Sequence, residues 1–379
     1  MYRPVQMLRL LVALSMLAIA AAGQVHAAAA QTGGLPPVRH VFLIVLENKS
    51  FAAAFGPKAA AAYLARTLPA QGALLEDYYA VGHWSLVNYV AMVSGQAPNP
   101  ATQRDCLDVT NFRMFKPALD AQGEAAGVGC VYPAIVETLP DQLEKAGLTW
   151  KGYMEDLGRD SLRDRYGGCT LQRIGHRDLT GFFNGPDGYD AAHNPFLYFH
   201  TILDDRVRCA AHVVNLDELT RDLHSVATTP NYTFIVPNLC HDGQDAHCGD
   251  GTPGGAAGMD GFLQKWVPAI TSSPAFGKDG LLIITFAQSD GLTAEGYGAC
   301  CGEKPLASNP LEPGFRGPGG GRVGAVALSP FIRPGTVSSI PYNHYALLRT
   351  VEDIFGIGHL GYAGEPGLRS FGSDVFSRR

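Results

Sequence analysis

The run Val41-Phe42-Leu43-Ile44-Val45-Leu46 decides the fold class, because six apolar residues follow one another without alternation. A strand with both faces buried in a parallel sheet has this pattern, whereas a strand with one face in water alternates apolar and polar residues. The run ends in Glu47-Asn48, and open α/β sheets bind their ligands outside the carboxyl ends of the strands. The stretch therefore predicts a central parallel strand with two oxygen-bearing side chains at the ligand-binding edge.

Further apolar runs alternate with helical patterns along the rest of the chain. Strands are predicted at residues 148–154, 231–236, 281–286 and 323–328. Helices are predicted at residues 58–68, 138–145, 260–272 and 343–355. This alternation indicates an α/β protein with a mostly parallel central sheet and helices on both faces.

Two irregular regions interrupt the alternation. Residues 96–137 are rich in Gly, Pro and Asp and are predicted to form a surface insertion, and residues 157–198 have no clear periodicity. The chain has no internal repeat and no shift in composition that would mark a boundary. Residues 38–379 are therefore predicted to form a single domain.

The N-terminal segment has the features of an export signal. Arg3 and Arg9 precede the apolar run 10–22, and Val25-His26-Ala27 offers small residues for cleavage. We expect residues 1–27 to be a signal peptide and residues 28–37 a flexible leader. The alternative is a retained membrane anchor, but the apolar run is short for a membrane span. The mature protein is expected to be secreted or periplasmic, without stable insertion into a membrane.

Charge argues against a nucleic-acid partner. The formal net charge is −6, and removal of residues 1–27 takes away Arg3 and Arg9 without any acid. A mildly acidic chain without a basic cluster lacks the electrostatic footprint of nucleic-acid binding.

The cysteine count favours disulfides. Eight cysteines after an export signal are more consistent with bridges than with free thiols. Pairing of sequence neighbours, 106–130, 169–209 and 240–248, is the simplest of many connectivities. Cys300 and Cys301 form a vicinal bridge or pair elsewhere. Since no C-x-x-C occurs, a structural zinc site is not expected.

Four predicted strands end in polar residues that share one edge of the sheet. These residues are Glu47-Asn48, Glu155-Asp156, Asn238 with His241-Asp242, and Gln288 with Asp290. Each taken alone has a simpler interpretation, since a strand-end Asp or Asn more often caps the next helix. Together their oxygen atoms predict a site for a hard divalent cation, whose identity stays open.

A serine lies at the start of a predicted helix in the segment His83-Trp84-Ser85-Leu86-Val87-Asn88-Tyr89. Apolar residues recur at helical spacing after Ser85, and Gly95 ends the segment. A hydroxyl at a helix start sits beside unpaired N–H groups, which favour a phosphate or another anion. The simpler alternative is an ordinary Ser N-cap. A neighbouring cation would lower the pKa of the hydroxyl and turn Ser85 into a nucleophile.

Four motifs of the chain resemble motifs of a known family. The opening motif comprises residues 40–51 with Phe55-Gly56, and the serine segment comprises residues 82–89 with Ser94-Gly95. The third is Pro237-Asn238-Leu239-Cys240-His241-Asp242-Gly243, and the fourth runs from Tyr342-Asn343-His344-Tyr345 to Glu352-Asp353. The chain thereby resembles the bacterial and fungal phosphoesterase family of phospholipases C and acid phosphatases, within the alkaline phosphatase superfamily.

The resemblance implies an alkaline-phosphatase-like fold and a set of roles. Glu47 and Asn48 would bind the metal, and Ser85 would be both nucleophile and metal neighbour. Asn88 would hold a phosphate oxygen. His200 and His241 would match the family's phosphate-binding or proton-donating histidines.

One departure from the family concerns the metal. The family pattern is a Thr-Phe-Asp-Glu run, whereas this chain has Thr285-Phe286-Ala287-Gln288-Ser289-Asp290. Two carboxylates are lost, and hard cations depend on ligand charge. Asp242, Gln288 and Asp290 are therefore added to the candidate ligands Glu47, Asn48 and Ser85. The alternatives are a site that works with less metal and a site that is catalytically dead.

The function predicted from these motifs is an exported phosphoesterase that hydrolyses phosphate mono- or diesters through a phosphoserine. Its substrate would be a small-molecule or lipid phosphoester. One rival is a non-catalytic protein that binds anions or other ligands in the same pocket. Another is a hydrolase of the phospholipase C type or one acting on sulfate. The oligomeric state stays open.

Overall fold

The computed structural model describes residues 34–377, apart from 162, 165–168, 170–173, 182–186, 246–247, 250, 293, 306–308 and 310. The predicted signal peptide, and the leader up to residue 33, lie outside this range. The described residues belong to one compact unit.

The described chain contains twelve strands, eight of which build the central sheet. In chain order they are β1 (His40–Leu46), β2 (Ala73–Leu75), β3 (Tyr78–Tyr79), β4 (Arg113–Met114), β5 (Gly127–Val128), β6 (Trp150–Met154), β7 (Val213–Asn215), β8 (Tyr232–Val236), β9 (Gly280–Phe286), β10 (Ala325–Leu328), β11 (Thr336–Ser338) and β12 (Tyr342–Asn343). The central sheet has the order β11-β2-β10-β9-β1-β8-β6-β7. Only β10 runs antiparallel to its neighbours, which confirms a mostly parallel sheet.

Strand β1 lies near the middle of this sheet. It pairs in parallel with β8 on one side and with β9 on the other, so that Val41 lies opposite Tyr232 and Leu281. All seven residues of β1 are buried. The uninterrupted apolar run is thus explained, because neither face of the strand meets water.

Ten α-helices accompany the sheet in the described residues. They are α1 (Phe51–Phe55), α2 (Leu68–Gln71), α3 (Ser85–Ser94), α4 (Leu139–Lys145), α5 (His200–Leu203), α6 (Arg206–His212), α7 (Leu219–Asp222), α8 (Gly255–Thr271), α9 (Pro274–Asp279) and α10 (His344–Phe355). Helix α3 packs against α10, while α8 and α9 pack against the central strands β9 and β1. Within the described range, no helix combines the length and apolar character that a membrane crossing requires.

Local sequence signals account for the ends of two helices. Thr138 accepts a hydrogen bond from the backbone N–H of Asp141, and the Asp141 carboxylate bonds back to Thr138, which makes a capping box at α4. The Asn343 side chain caps α10 by accepting from the N–H of Ala346, and Gly356 ends that helix at φ 66°. The predicted helices at 138–145 and 343–355 are confirmed.

Two sequence predictions were wrong in detail. Residues 58–68 were expected to be one helix, but the helical part begins near Tyr63 with a π-helical turn, Tyr63–Thr67, and continues into α2. Residues 96–137 were expected to lie on the surface. Instead Val109, Val131 and Tyr132 are buried in the main core, because this region folds back against the helices.

Four disulfides use all eight cysteines. The pairs are Cys106–Cys130, Cys169–Cys209, Cys240–Cys248 and the vicinal Cys300–Cys301. The pairing of sequence neighbours is confirmed, and the vicinal bridge is the alternative that the structure adopts for the last two cysteines.

The buried acid Glu352 on α10 should make stability depend on pH. Burial raises the pKa of Glu352 to about 9, so the folded chain holds a proton that the unfolded chain releases near the ordinary value. This contribution to stability is complete below the unfolded pKa and is lost as the pH rises towards 9. The side chain of Gln at position 352 is neutral at every pH. Between pH 5 and pH 8, the Tm of Glu352→Gln should therefore fall less than the Tm of wild type, with a difference of about 2 °C or more.

Thermal melts of both proteins at the two pH values test this expectation. Glu312→Gln, at an exposed side chain, serves as the matched control. An equal loss of Tm in wild type and Glu352→Gln would contradict the assignment.

Candidate active site

The polar strand ends meet at the carboxyl edge of the sheet. The backbone N–H of Glu47 donates to the carbonyl of Asp242 at 2.8 Å, and that of Lys49 donates to the carbonyl of Gln288 at 3.2 Å. Segments that are about 195 and 240 residues apart in sequence are thereby joined directly after β1. These backbone hydrogen bonds show that the strand ends converge, as the sequence predicted.

Ser85 is the first residue of α3 and is buried beside Glu47. Its hydroxyl donates to Glu47 Oε2 at 3.1 Å, and Ser85 Oγ accepts a hydrogen bond from the side-chain Nε2 of Gln288 at 3.2 Å. Trp84 holds the N-cap position and makes no side-chain cap bond. The interpretation of Ser85 as an ordinary N-cap is therefore wrong, because its hydroxyl points to the strand edge.

The start of α3 is capped instead by Asp105, which comes from the irregular region after the helix. Its Oδ1 accepts from the backbone N–H of Leu86 at 2.8 Å. Burial raises the pKa of Asp105 to about 8, while the hydrogen bonds from Leu86 and Ser85 lower it. No local pattern in the sequence points to Asp105, because its contact with Leu86 spans 19 positions and depends on how this region folds back.

Glu47 and Asp242 are two buried carboxylates with unsatisfied oxygens. Neither Glu47 Oε1 nor Asp242 Oδ2 has a hydrogen-bond partner. Burial raises the pKa of Glu47 to about 8; His193 lowers it and Asp242 raises it further. The pKa of Asp242 lies well above its ordinary value, again chiefly through burial. The charged forms of these two buried acids are stable only if a positive charge lies close to them.

His193 lies between these two acids, although the sequence analysis did not single it out. Its Nε2 is 3.5 Å from Glu47 Oε1 and its Nδ1 is 3.9 Å from Asp242 Oδ2. Its ring stacks on Tyr89 of α3 at 5.3 Å between centroids. It follows an irregular segment without periodicity, so no local pattern marked it.

The structure does not bring His200 to this cluster. Its Nδ1 lies 3.0 Å from the carboxylate of Asp204, and its Nε2 lies 3.0 Å from Oδ1 of Asn111. These partners hold the ring of His200 at the start of α5. The histidine that contacts Glu47 is His193.

His241 forms a pair with Glu155, the residue that follows β6. Its Nδ1 lies 2.9 Å from Glu155 Oε2, and this hydrogen bond raises the pKa of His241 above its ordinary value, against the effect of burial. His241 directly precedes Asp242 in the chain and is about one-third exposed. The ring of His241 therefore favours its protonated form and is accessible to solvent.

Asn88 is fully engaged with the loop before α3. Its Oδ1 accepts from the N–H groups of Val81 and Gly82 at 3.0 and 3.1 Å. Its Nδ2 donates to the carbonyls of Gly82 and Trp84 at 2.8 and 2.9 Å. The amide thus holds the loop that presents Ser85. Because its oxygen and its nitrogen are both occupied by this loop, Asn88 has no free hydrogen bond for a phosphate oxygen.

The remaining candidate ligands lie around the same edge. Asn48 adopts a left-handed φ of 57°, which non-glycine residues adopt only at a cost. Oδ2 of Asp290 accepts from the hydroxyl of Ser50 at 3.0 Å, and its Oδ1 accepts from the N–H of Leu292 at 3.1 Å. Both oxygens of Asp290 thereby support loops beside the cluster.

Ala287 occupies the position where the family pattern has a carboxylate. It is fully buried, and its carbonyl accepts from Nε2 of His344 at 2.8 Å. Burial lowers the pKa of His344 to about 4, so this ring stays neutral. The backbone after β9 is thus anchored to α10 where the carboxylate is missing.

Lys49 adds an ammonium group close to these acids. Burial lowers its pKa, while Asp242, Asp290 and Glu47 raise it. Its Nζ donates to the carbonyl of Asn48 at 3.3 Å. The charge of Lys49 offsets part of the negative charge at the strand edge.

A divalent cation needs several oxygen or nitrogen ligands with negative charge among them. In the part of the chain that the structure describes, no three histidine, cysteine or acidic side chains form a ready set of metal ligands. The unsatisfied oxygens of Glu47 and Asp242 nevertheless fit a hard cation in charge and in atom type. Two buried carboxylates near the oxygen of Ser85 therefore offer the atom type that such an ion binds, with the ring of His193 lying between them.

The fold and this site define an α/β protein with a serine hydroxyl at the ligand-binding edge of its sheet. The Phosphoesterase family model matches residues 58–358, and the chain belongs to that family. The family predicted from the four motifs is confirmed.

Individual relatives are distant. An acid phosphatase from Penicillium chrysogenum, named as phosphate-repressible, is 26% identical over 59% of this chain and 42% of its own length. A phosphatidylinositol-3-phosphatase from Mycobacterium tuberculosis is 25% identical over 87% of this chain and 81% of its own length. A solved structure in the alkaline phosphatase superfamily, from Vibrio parahaemolyticus, aligns with a TM-score of 0.46 at 14% identity over 87% of this chain and 70% of that one. The chain spans only 42%, 59% and 61% of three fungal acid phosphatases that it matches.

Replacement of Asn88 by Leu should lower stability as well as activity. Leu has a similar size but leaves the N–H groups of Val81 and Gly82 buried without an acceptor. Two unsatisfied donors should cost roughly 2–4 kcal/mol in the free energy of unfolding. Asn88→Asp keeps an acceptor for these N–H groups but turns its second oxygen towards the carbonyls of Gly82 and Trp84, so it should also be less stable than wild type. Urea denaturation of the three proteins measures the difference, and an Asn88→Leu protein as stable as wild type would contradict the role in the loop.

Proposed function

We propose that this protein is a hydrolase of phosphate esters in which Ser85 is the nucleophile. The observation that carries the proposal is the hydrogen bond from the Ser85 hydroxyl to the buried carboxylate of Glu47, in a chain of the Phosphoesterase family. The names of the acid phosphatase and phosphatidylinositol-3-phosphatase relatives support phosphate esters as the substrate class. The substrate is a small-molecule or lipid phosphoester.

The bond between Ser85 and Glu47 gives the first step a defined proton path. Ser85 Oγ attacks phosphorus while its proton passes to Glu47, and the bond from phosphorus to the leaving oxygen breaks. His241 supplies a proton to that oxygen, because its pairing with Glu155 favours the charged ring. A water molecule then attacks the phosphoserine, gives a proton to His241 and releases phosphate, and Ser85 recovers its proton from Glu47.

The residues at this edge of the sheet would also bind a positively charged ion. Glu47 and Asp242 would hold a divalent cation beside Ser85, with Asn48 and Gln288 as neutral neighbours. When bound, the cation would lower the pKa of the serine hydroxyl and draw charge from the phosphoryl oxygens. His193 lies within 3.9 Å of both carboxylates, and its ring would carry part of the positive charge there when protonated.

One observation favours a second candidate function. Ala287 stands where the family pattern has a carboxylate, so a cation site in this chain would carry less negative charge. A protein that binds phosphate esters without hydrolysing them is the corresponding alternative. Turnover by the wild-type protein decides between the two.

Export is part of the proposal. All eight cysteines are paired in four disulfides, and such bridges persist in oxidising compartments. We infer a secreted or periplasmic location for the mature chain.

The Ser85→Ala protein should lose hydrolysis by orders of magnitude, because the atom that forms the covalent intermediate is gone. It should still fold, since Asp105 rather than Ser85 caps α3. Hydrolysis of p-nitrophenyl phosphate and bis-p-nitrophenyl phosphate measures the effect. Ser94→Ala, at the other end of α3, is the matched control and should keep full activity. Equal rates for wild type and Ser85→Ala would rule out the serine mechanism, and absence of turnover in wild type would support the binding alternative.

The Glu47→Gln protein should lose both divalent cation and turnover. The substitution keeps the size of the side chain but removes the negative charge and the proton acceptor of Ser85. Elemental analysis of the purified proteins and the same hydrolysis assays report the two losses separately. Glu352→Gln makes the same change at a buried acid on α10, outside the site, and should keep both properties. Full cation content in Glu47→Gln would show that the ion binds elsewhere.

A further inference from the structure

A cavity of about 550 Å³ lies between helix α10 and the C-terminal segment 368–374. None of the described residues that line it belongs to the site around Ser85. Tyr342 and Asp353, the two ends of the fourth motif, are part of its wall, and neither has a role in the chemistry at Ser85. The volume is in the range of pockets that hold small organic molecules. The polar groups of the wall therefore decide which class of molecule fits.

The two carboxylates in this wall already have hydrogen-bond partners within the protein. Asp353 accepts from the hydroxyl of Ser370, and its Oδ1 lies 2.8 Å from Nε2 of His359. Both oxygens of Asp374 accept from the hydroxyl of Tyr342, at 3.0 and 3.1 Å. Since every carboxylate oxygen in the wall is hydrogen-bonded, the two acids do not form an unfilled cation site.

The two arginines of the wall, in contrast, keep N–H donors without protein acceptors. Nη1 of Arg349 donates to the carbonyls of Ala363 and Glu365 at 2.7 and 3.4 Å, whereas its Nη2 and Nε donate to no group in the part of the chain that the structure describes. Arg369 is exposed and makes no hydrogen bond or ion pair with any described residue. A guanidinium carries five N–H donors in a planar fork that matches the oxygens of a phosphate or carboxylate. The unmatched polar groups of the cavity are therefore positively charged donors.

The segment that supplies Arg369 is fixed against α10, which gives the cavity a defined shape. Phe371 of this segment is fully buried, and its backbone N–H donates to the hydroxyl of Thr350 on α10 at 2.9 Å. Its ring packs against the ring of Tyr342 at 4.8 Å between centroids and at 67° between planes. This anchor lies two positions after Arg369 and holds the backbone of that residue in the same wall as Arg349.

We propose that this cavity is a second ligand site, which binds an organic oxyanion through Arg349 and Arg369. The two guanidinium groups would hold the oxygens of a phosphoryl or carboxylate group with charge-assisted hydrogen bonds. Ile340 and Leu368, both partly buried, give the cavity an apolar side, against which the organic part of the ligand packs. The site does not depend on hydrolysis at Ser85, so it stands whether the chain is an enzyme or a binding protein.

Modification of arginines by phenylglyoxal, mapped by mass spectrometry of peptides, tests the site in the full chain. The probes are phenylphosphonate, which has no P–O–C ester bond to hydrolyse, and benzoate, its carboxylate counterpart. We expect at least one of them at saturation to slow modification of Arg369 about tenfold, and the more effective probe identifies the anionic group. Arg66, which is exposed on the π-helical turn before α2, is the internal control and should react at an unchanged rate. No protection of Arg369 by either probe, or equal protection by neutral benzyl alcohol, would overturn the proposal.

Calorimetric titration of arginine variants with the more effective probe gives a second test. Arg369→Gln removes a charge that has no described protein partner, so it should keep the Tm of wild type and weaken binding about tenfold or more. Arg349→Lys keeps the charge but not the planar fork, and it should weaken binding as well. Arg66→Gln is the matched control and should bind within about twofold of wild type. Binding of the probe at Ser85 would be the same in all these proteins, because none of the three arginines belongs to that site. Undiminished affinity in Arg369→Gln would place the ligand elsewhere and overturn the proposal.

Discussion

A carboxylate buried at the end of the central strand is the constraint on which the site depends. Glu47 follows β1 and has no exposure to solvent, and a buried charge costs several kcal/mol unless other groups compensate. The hydroxyl of Ser85 compensates one oxygen, and His193 lies against the other. Since these partners come from α3 and from an irregular segment far along the chain, the acid organises distant parts of the structure around one point.

The sequence predicted those parts of the fold that depend on local patterns. Runs rich in apolar and aromatic residues located β1, β6, β8, β9 and β10, because a strand buried on both faces consists mostly of such residues. Asn343 and Gly356 located the ends of α10 for an equally local reason, since a cap involves residues only a few positions apart. The Ser85 segment was recognisable because a polar hydroxyl interrupts an apolar helical pattern at its start.

Contacts between distant segments set the limit of such predictions. His193 and His200 lie in the same stretch of sequence, and nothing local distinguishes the ring that meets Glu47 from the ring that meets Asp204. Asn88 shows the same limit: its position on α3 suggested a phosphate contact, but the preceding loop folds back over it and takes all its hydrogen bonds. Asp105 reaches the start of α3 only because the chain reverses its direction after the helix. Periodicity in the sequence does not predict such a reversal.

The bridge between Cys106 and Cys130 has a consequence for the production of this protein. Cys106 directly follows Asp105 and is bridged to a cysteine 24 positions further along the chain, which ties down the chain next to the carboxylate that caps α3. A disulfide limits the freedom of the unfolded chain and so favours the folded loop. In a reducing cytosol, a recombinant host would make this chain without that constraint, and the position of Asp105 at the start of α3 would be less strongly favoured. Expression into an oxidising compartment should therefore favour the native form of the site.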